Sequence, residues 1–189
     1  MLLSKAGLMH GEFDKTFAEK KNWRVDAGLS RAVLVAFHDY GAIVDVGAGK
    51  GAYVGWLLEK GFNAIGYDGI DDIEELSGGL VRQLDLTSTD PMPDSYSGGM
   101  CIEVGEHIPG EHIPQFLANL SSLVLHRLMI SWAVIGQRGR RHVSCHQPEW
   151  VAANLYPFGW RINEELTIDV RRVAGKGWDR KLMVLERWT

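Results

Sequence analysis

The sequence predicts an α/β protein: a single domain with a doubly wound, mostly parallel sheet and N-terminal helices. Short apolar stretches that are typical of buried strands alternate along the chain with amphipathic segments of helical periodicity. Such alternation is typical of a parallel sheet with helices on both faces, and ligands then bind beyond the carboxyl ends of its strands. We therefore expect one domain over residues 1–189, with a helical segment at 1–39 and the sheet in 40–189.

The individual elements follow from apolar spacing and from glycine and proline breaks. Strands are predicted at 42–46, 62–67, 80–84, 99–104, 127–134 and 181–188. Helices are predicted within 11–38 and at 51–60, 113–125 and 147–156. Residues 166–173 alternate like a strand but also suit a helix capped by Asn163, and we favour the helix.

Composition limits the class of protein. The chain has 189 residues, of which 46% are hydrophobic and 23% are charged, as in an ordinary globular domain. Its apolar runs fall short of the roughly 20 residues that a membrane span needs. The first residues lack the apolar core of a signal peptide, and two cysteines imply no disulfide framework. We therefore expect a cytoplasmic protein with no membrane partner.

Charge is distributed unevenly along the chain. The formal net charge is −4, yet residues 126–189 hold 11 Lys and Arg against 6 Asp and Glu. A basic third of this kind either steers an anionic substrate or nucleic acid, or is simply a solvated face. The charge alone leaves both interpretations open.

The most informative stretch is the segment from Ile43 to Gly51. An apolar strand there meets an acid and then three alternating glycines, with a helical pattern directly behind them. Glycine lets the backbone turn sharply and approach a ligand closely, and a helix N-terminus presents unpaired amides. The segment therefore predicts a binding site for a nucleotide-type cofactor.

Three acids stand at the ends of three successive strands of the predicted sheet. Asp45 precedes the glycine loop, Asp68 follows the second strand and Asp85 follows the third. A carboxylate beside a pyrophosphate is unfavourable, so a dinucleotide is the least favoured ligand, whereas a cationic amino or sulfonium group is attracted. Carboxylates at the next two strand ends suit ribose hydroxyls and an exocyclic amine. The cofactor that fits this set is S-adenosylmethionine.

With these motifs the chain resembles the class I (Rossmann-like) S-adenosylmethionine-dependent methyltransferases over about residues 40–135. The resemblance implies an enzyme in which the glycine loop wraps the methionine part of the cofactor and Asp68 holds its ribose. It also implies that Asp85 reads the adenine amine and that the residues after the fourth strand close over the cofactor. The cofactor-binding residues implied in this way are Asp45, Gly47, Ala48, Gly49, Gly51, Asp68, Gly69, Ile70, Asp85, Leu86, Glu103 and Val104.

The acceptor side is expected in the loops after the fourth and fifth strands. Residues 103–109 resemble the E-x-x-E-H-x-P segment of ubiquinone-biosynthesis O-methyltransferases and small-molecule relatives. His107 is the candidate base because imidazole titrates near neutrality, and Glu106 would orient it. Alternatively, His107 packs under the cofactor and Glu106 caps the next helix. The loop at 131–146 adds a second candidate base and four candidate substrate contacts: His142, Trp132, Arg138, Arg140 and Arg141.

The predicted function is methyl transfer to an oxygen or nitrogen of a small-molecule acceptor. An RNA or protein methyltransferase that uses the basic C-terminal third, and a non-catalytic cofactor-binding subunit, are the alternatives. The histidines and cysteine at 107, 142, 145 and 146 match no common zinc spacing, so no metal is expected. Trp23, with Arg24, forms either a lid over the site or part of the core.

Overall fold

The architecture is a seven-stranded sheet with helices on both faces, as seen in a computed structural model that describes residues 15–20 and 23–188. The strands are β1 (Ala42–Val46), β2 (Asn63–Asp68), β3 (Val81–Gln83), β4 (Tyr96–Ile102), β5 (Val124–Ser131), β6 (Trp160–Ile162) and β7 (Met183–Arg187). They lie in the order β3-β2-β1-β4-β5-β7-β6.

The helices alternate with these strands, as the sequence predicts. They are α1 (Lys15–Lys20), α2 (Ala27–Phe37), α3 (Ala52–Glu59), α4 (Ile73–Leu76), α5 (Ile113–Leu123), α6 (Pro148–Leu155) and α7 (Glu164–Ala174). Residues 11–14, 21 and 22, which the sequence assigns to the helical segment before the sheet, lie outside the described residues. In the described part of the chain, no helix has the length and apolar character needed to cross a membrane.

The sheet topology creates one crevice for a ligand. Strands β1 to β5 run parallel, and β7 is antiparallel to both of its neighbours. The chain builds outward from β1 through β2 to β3, then crosses to β4 and builds outward in the opposite direction. Ligands bind at such a switch point, beyond the carboxyl ends of the strands. The predicted fold class is therefore confirmed, and the functional site is expected above β1 and β4.

The sheet also separates two large parts of the core. One face packs against α5 and α6 through side chains such as Phe116 and Leu155. The opposite face packs against α2 and α7, where Phe37 and Val170 are fully buried. Each large apolar side chain removed from water contributes about 1.5–3 kcal/mol. Packing on both faces makes the sheet a rigid support for the loops at its edge.

Several element boundaries differ from the sequence prediction, and β6 and the one-turn helix α4 were not predicted. β5 begins at Val124 and ends at Ser131, three residues earlier than expected, because Val124 pairs with Tyr96 of β4 instead of continuing α5. β6 was missed because three residues carry too little periodicity to be recognised. The favoured helix at α7 is correct, and the Asn163 side chain accepts a hydrogen bond from the Leu166 amide at 3.0 Å.

Candidate functional site

Three glycines shape the loop between β1 and α3. Gly47, Gly49 and Gly51 have φ angles of 79°, 54° and 77°, in the left-handed region that disfavours residues with a Cβ. A Cβ on Gly47 would lie 2.3 Å from the Val104 side chain, and one on Gly49 would lie 2.5 Å from the Trp23 ring. The glycine loop is therefore clamped between the segment after β4 and the segment before α2.

Asp68 ends β2 and fixes the glycine loop from the other side. One carboxylate oxygen accepts the Gly49 amide at 2.7 Å, and the second accepts the Ile70 amide at 3.1 Å. Ile70 is buried with Ala48 in a small apolar cluster, whereas Gly69 is exposed. Asp68 thus joins the loop after β1 to the turn after β2, an anchoring role that sequence reasoning did not include.

Asp45 lies within β1, directly below the glycine loop. It pairs in register with Gly66 of β2 and Met100 of β4, and its side chain is buried. Burial, together with the nearby Asp68 carboxylate, raises the pKa of Asp45 to about 7. A buried carboxylate under these conditions is stabilised by a cationic neighbour and destabilised by an anionic one. The electrostatics at this point therefore favour a positively charged ligand group.

The third acid lines a cleft beyond the carboxyl ends of β2 and β3. Asp85 is held by Thr87, whose amide and hydroxyl reach the same carboxylate oxygen at 2.8 and 2.6 Å. Leu86, beside it, is buried in the core. The cleft has a volume of about 580 Å³ and is lined by Asp71, Asp72, Gln83, Leu84, Asp85, Ser88, Asp90, Pro91 and Met92. The three predicted acids therefore do lie at successive strands along one edge of the sheet.

Glu103 follows β4 in an unusual backbone conformation. Its φ is 57°, and its carboxylate accepts hydrogen bonds from the Ser131 hydroxyl at 2.8 Å, Lys181 at 2.6 Å and Gln137 at 3.3 Å. These contacts join Glu103 to Ser131 at the end of β5 and to Lys181, which precedes β7; its predicted contact with the cofactor stays a prediction. Lys181 and Gln137 were not identified because they are distant in sequence and belong to no motif.

The three predicted catalytic residues meet beside this network. Glu106 and His107 lie in the turn Gly105–His107 after β4, and His142 lies in the loop after β5. One potential ligand atom from each residue lies within 4.8 Å of the other two. The rings of His107 and His142 pack edge to face, with centroids 5.2 Å apart. We refer to these three residues as the Glu-His-His cluster.

Glu106 is the most unusual member of this cluster. It is 0% exposed, and neither carboxylate oxygen has a hydrogen-bond partner among the described residues. Burial, and then the charge of Glu103, raise the pKa of Glu106 to about 7, against the opposing pull of nearby backbone amides and Lys181. The alternative in which Glu106 caps the next helix is therefore wrong. A buried, unsatisfied carboxylate is rare and is typical of functional sites.

The loop after β5 is held on the turn after β4 by backbone contacts. The Glu106 carbonyl accepts the amides of Val143 at 2.8 Å and Ser144 at 3.0 Å. Trp132 is 1% exposed and donates its indole N–H to the Ser144 carbonyl at 2.5 Å. Its ring packs against Gly105, where a Cβ would collide with it. Trp132 was expected to contact the substrate. It instead supports the loop from below, because the sheet and helices enclose it.

Further contacts orient the two histidine rings. His107 Nδ1 lies 3.2 Å from the Arg141 carbonyl, and His142 Nδ1 lies 3.2 Å from the Gln137 carbonyl. Because a carbonyl only accepts, each Nδ1 carries the proton, which in the neutral ring places a lone pair on Nε2. Both rings are thus set in the tautomer whose Nε2 can accept a proton or bind a cation.

The remaining predicted substrate contacts form an exposed basic rim. Arg138, Arg140 and Arg141 all lie on the exposed face of the loop after β5. His146 lies away from the cluster and stacks on Trp150, with ring centroids 3.5 Å apart. Arg141 contacts the cluster through its backbone carbonyl, and the charge of these exposed side chains favours an anionic group on an incoming molecule.

Comparison with known proteins identifies the fold. No protein-family profile and no curated protein matches the chain. Magnesium protoporphyrin IX methyltransferase from Synechocystis PCC 6803, with bound SAH, matches with a TM-score of 0.67 and 17% identity, over 93% of this chain and 96% of that one. The chain has the fold of the SAM-dependent methyltransferases. The resemblance drawn from the sequence is thereby confirmed at the level of the fold.

Two other structures show the range of proteins that share this methyltransferase fold. A SAM-bound amino pentose methyltransferase from Micromonospora echinaspora gives a TM-score of 0.63 and 15% identity, covering 90% of this chain and 94% of that one. A small RNA methyltransferase gives a TM-score of 0.65 and 14% identity, and the match covers 89% of this chain but 27% of that one. The fold therefore leaves the acceptor open, and the acceptor must be argued from the site.

The clamp on the glycine loop generates a test within the methyltransferase fold. Gly47→Ala should destabilise the protein more than Gly61→Ala, because both positions have positive φ but only Gly47 also lacks space. The φ penalty alone is about 1–2 kcal/mol. Urea unfolding measures both variants, and Val104→Ala should recover part of the Gly47→Ala loss. Equal destabilisation by the two glycine substitutions would contradict the clamp.

Proposed function

We propose that the protein transfers a methyl group from S-adenosylmethionine to an oxygen or nitrogen atom of a small-molecule acceptor. One observation carries the proposal: a buried acid below the glycine loop of β1 adjoins a Glu-His-His cluster at the end of the neighbouring strand β4. A fold by itself does not specify a function, so the proposal rests on this pairing of a cation-selective crevice with proton-accepting groups.

The donor side of the crevice suits the cofactor in polarity. Its methionine part carries an ammonium and a sulfonium group, which the Asp45 carboxylate would attract. Asp68 would accept ribose hydroxyls, and Asp85 would accept the adenine amine in the cleft of about 580 Å³. The glycine loop would pass beside the methionine part, with Val104 behind it.

The acceptor side suits a nucleophile that must lose a proton. Methyl transfer is an in-line displacement at an activated carbon, so the protein has to align the partners and remove a proton. In the proposed reaction, an Nε2 lone pair of His107 or His142 accepts that proton. The rim of Arg138, Arg140 and Arg141 favours an acceptor that carries a carboxylate or phosphate.

The raised pKa of Asp45 predicts how cofactor binding depends on pH. With a pKa of about 7, Asp45 is largely neutral at pH 6 and must ionise to pair with the ligand's ammonium. That α-amino group keeps its proton below about pH 7.7. The affinity for S-adenosylhomocysteine should therefore rise roughly five- to tenfold between about pH 6 and pH 7.5. Isothermal titration calorimetry measures this directly.

The controls follow from the groups that face Asp45. Tyr53 and Cys101 have raised pKa values, and both remain neutral over this range, so Asp68 is the neighbour that matters. Asp45→Asn should bind weakly and without the pH dependence. Asp68→Asn should shift the midpoint to lower pH because it removes a like charge. A pH-independent affinity in the wild-type protein would contradict the role of Asp45.

The experiment on the proposed activity measures release of S-adenosylhomocysteine across a panel of small molecules. The panel contains hydroxyl and amino compounds with and without a carboxylate or phosphate, because the arginine rim predicts faster turnover of the anionic members. His107→Ala and His142→Ala should both bind S-adenosylhomocysteine normally, and at least one of them should lose about 10²–10⁴-fold in turnover with the best acceptor, the usual contribution of a positioned base. Unchanged turnover in both variants would contradict the proposed acceptor site.

RNA is the second candidate acceptor, because the exposed arginines lie beside the cluster and a small RNA methyltransferase shares the fold. This alternative requires RNA binding that weakens steeply with salt, with a slope near −0.7 per phosphate contact for single strands. Tight cofactor binding without turnover on any small molecule or RNA would instead indicate a non-catalytic cofactor-binding subunit.

A further inference from the structure

We propose that the Glu-His-His cluster binds a divalent transition-metal ion of the Zn²⁺ class beside the cofactor crevice. The role of the ion rests on the proposed function, whereas its binding does not. Sequence reasoning expected no metal because it considered a set with Cys145 and His146. The structure assembles a different set, in which the carboxylate of Glu106 joins His107 and His142.

The distances between the donor atoms suit a single ion. Bonds of about 2.0–2.2 Å to nitrogen and oxygen place the ligand atoms of a tetrahedral site about 3.4 Å apart. In the structure, the three ligand atoms already lie within 4.8 Å of one another. Convergence by at most about 1.4 Å per pair, within reach of small side-chain rotations, would therefore complete the site.

The surroundings of the histidines are those of metal ligands. Metal-binding histidines commonly donate the second ring N–H to a carbonyl or carboxylate, which fixes the ring and its tautomer. Both His107 and His142 make such a contact through Nδ1, to the carbonyls of Arg141 and Gln137. Backbone groups, and not flexible side chains, therefore fix the orientation of both rings.

Glu106 supplies a second, independent reason for a cation. Its carboxylate is fully buried, and neither oxygen accepts a hydrogen bond from the described residues. Burying such a group costs several kcal/mol unless it is paired or coordinates a metal. Glu103, whose charge acts on Glu106, pairs with Lys181 at 2.6 Å and so does not compete for the ion. A divalent cation would compensate the Glu106 charge.

The donor set indicates the class of metal and its role. Two imidazoles and one carboxylate suit Zn²⁺, Fe²⁺, Co²⁺ or Ni²⁺ better than Mg²⁺ or Ca²⁺, which prefer oxygen ligands. Three protein ligands leave a position open for a water or a substrate oxygen. With the ion bound, His107 and His142 would be ligands and not bases, so an acceptor hydroxyl would occupy the open position and release its proton to water. Its oxygen then takes the methyl group as the carbon–sulfur bond breaks and leaves a neutral thioether.

The test measures metal binding by the full chain without cofactor or acceptor. Protein stripped with a chelator is titrated with Zn²⁺ in competition with a chromophoric chelator, and with Co²⁺ by visible absorption. One Zn²⁺ per chain should bind, with a Co²⁺ spectrum typical of nitrogen and oxygen ligands. Glu106→Gln, His107→Ala and His142→Ala should each weaken Zn²⁺ binding at least tenfold, whereas His126→Ala and His146→Ala should not.

Three outcomes would overturn the proposal. They are the absence of Zn²⁺ binding at micromolar concentration by folded protein, equal binding by Glu106→Gln and the wild type, and a strong Co²⁺–thiolate band that assigns Cys145 as a ligand. Circular dichroism checks that each variant is folded. Binding of S-adenosylhomocysteine to the stripped protein is measured in parallel, so that failure of the metal site and failure of the proposed cofactor site are recorded separately.

Discussion

The Asp68 carboxylate connects the glycine loop after β1 to the turn after β2, and the geometry of the crevice depends on that contact. Its two oxygens accept the Gly49 and Ile70 amides at 2.7 and 3.1 Å. Hydrogen bonds to a charged acceptor contribute about 1.5–3 kcal/mol each. With the loop held in this way, Asp45 lies buried below it, and burial near Asp68 raises the pKa of Asp45. Asp68 therefore holds the shape of the glycine loop and adds to the effect of burial on the pKa of Asp45.

The acceptor side depends on a separate contact between two loops. The carbonyl of Glu106 accepts two successive amides from the loop after β5, and Trp132 supports the same loop from within the core. These contacts bring His142 to the turn that carries His107. This arrangement buries the Glu106 carboxylate without a hydrogen-bond partner among the described residues, which is energetically unfavourable. An unfavourable buried group of this kind indicates that the cluster has a function. The proposed donor and acceptor sites thus lie on adjacent strands, and separate contacts hold each of them.

Local sequence was sufficient to predict the elements that form the proposed donor side. Gly47 and Gly49 stand in an unbroken strand-loop-helix pattern, and Asp68 closes an apolar strand, so each is recognisable from its immediate neighbours. The acceptor side was predicted only in part. His107 and His142 were chosen separately, because their contact depends on β4 and β5 pairing in parallel. The ion pair of Glu103 with Lys181 joins distant segments, and no local pattern could have predicted it.

The most direct measurement of the central claim is the crystal structure of the complex with S-adenosylhomocysteine. Our account predicts the amino group of the ligand beside Asp45, the ribose beside Asp68 and the adenine in the cleft beside Asp85. Density for the ligand at another surface of the protein, or an empty crevice at saturating ligand concentration, would contradict the account.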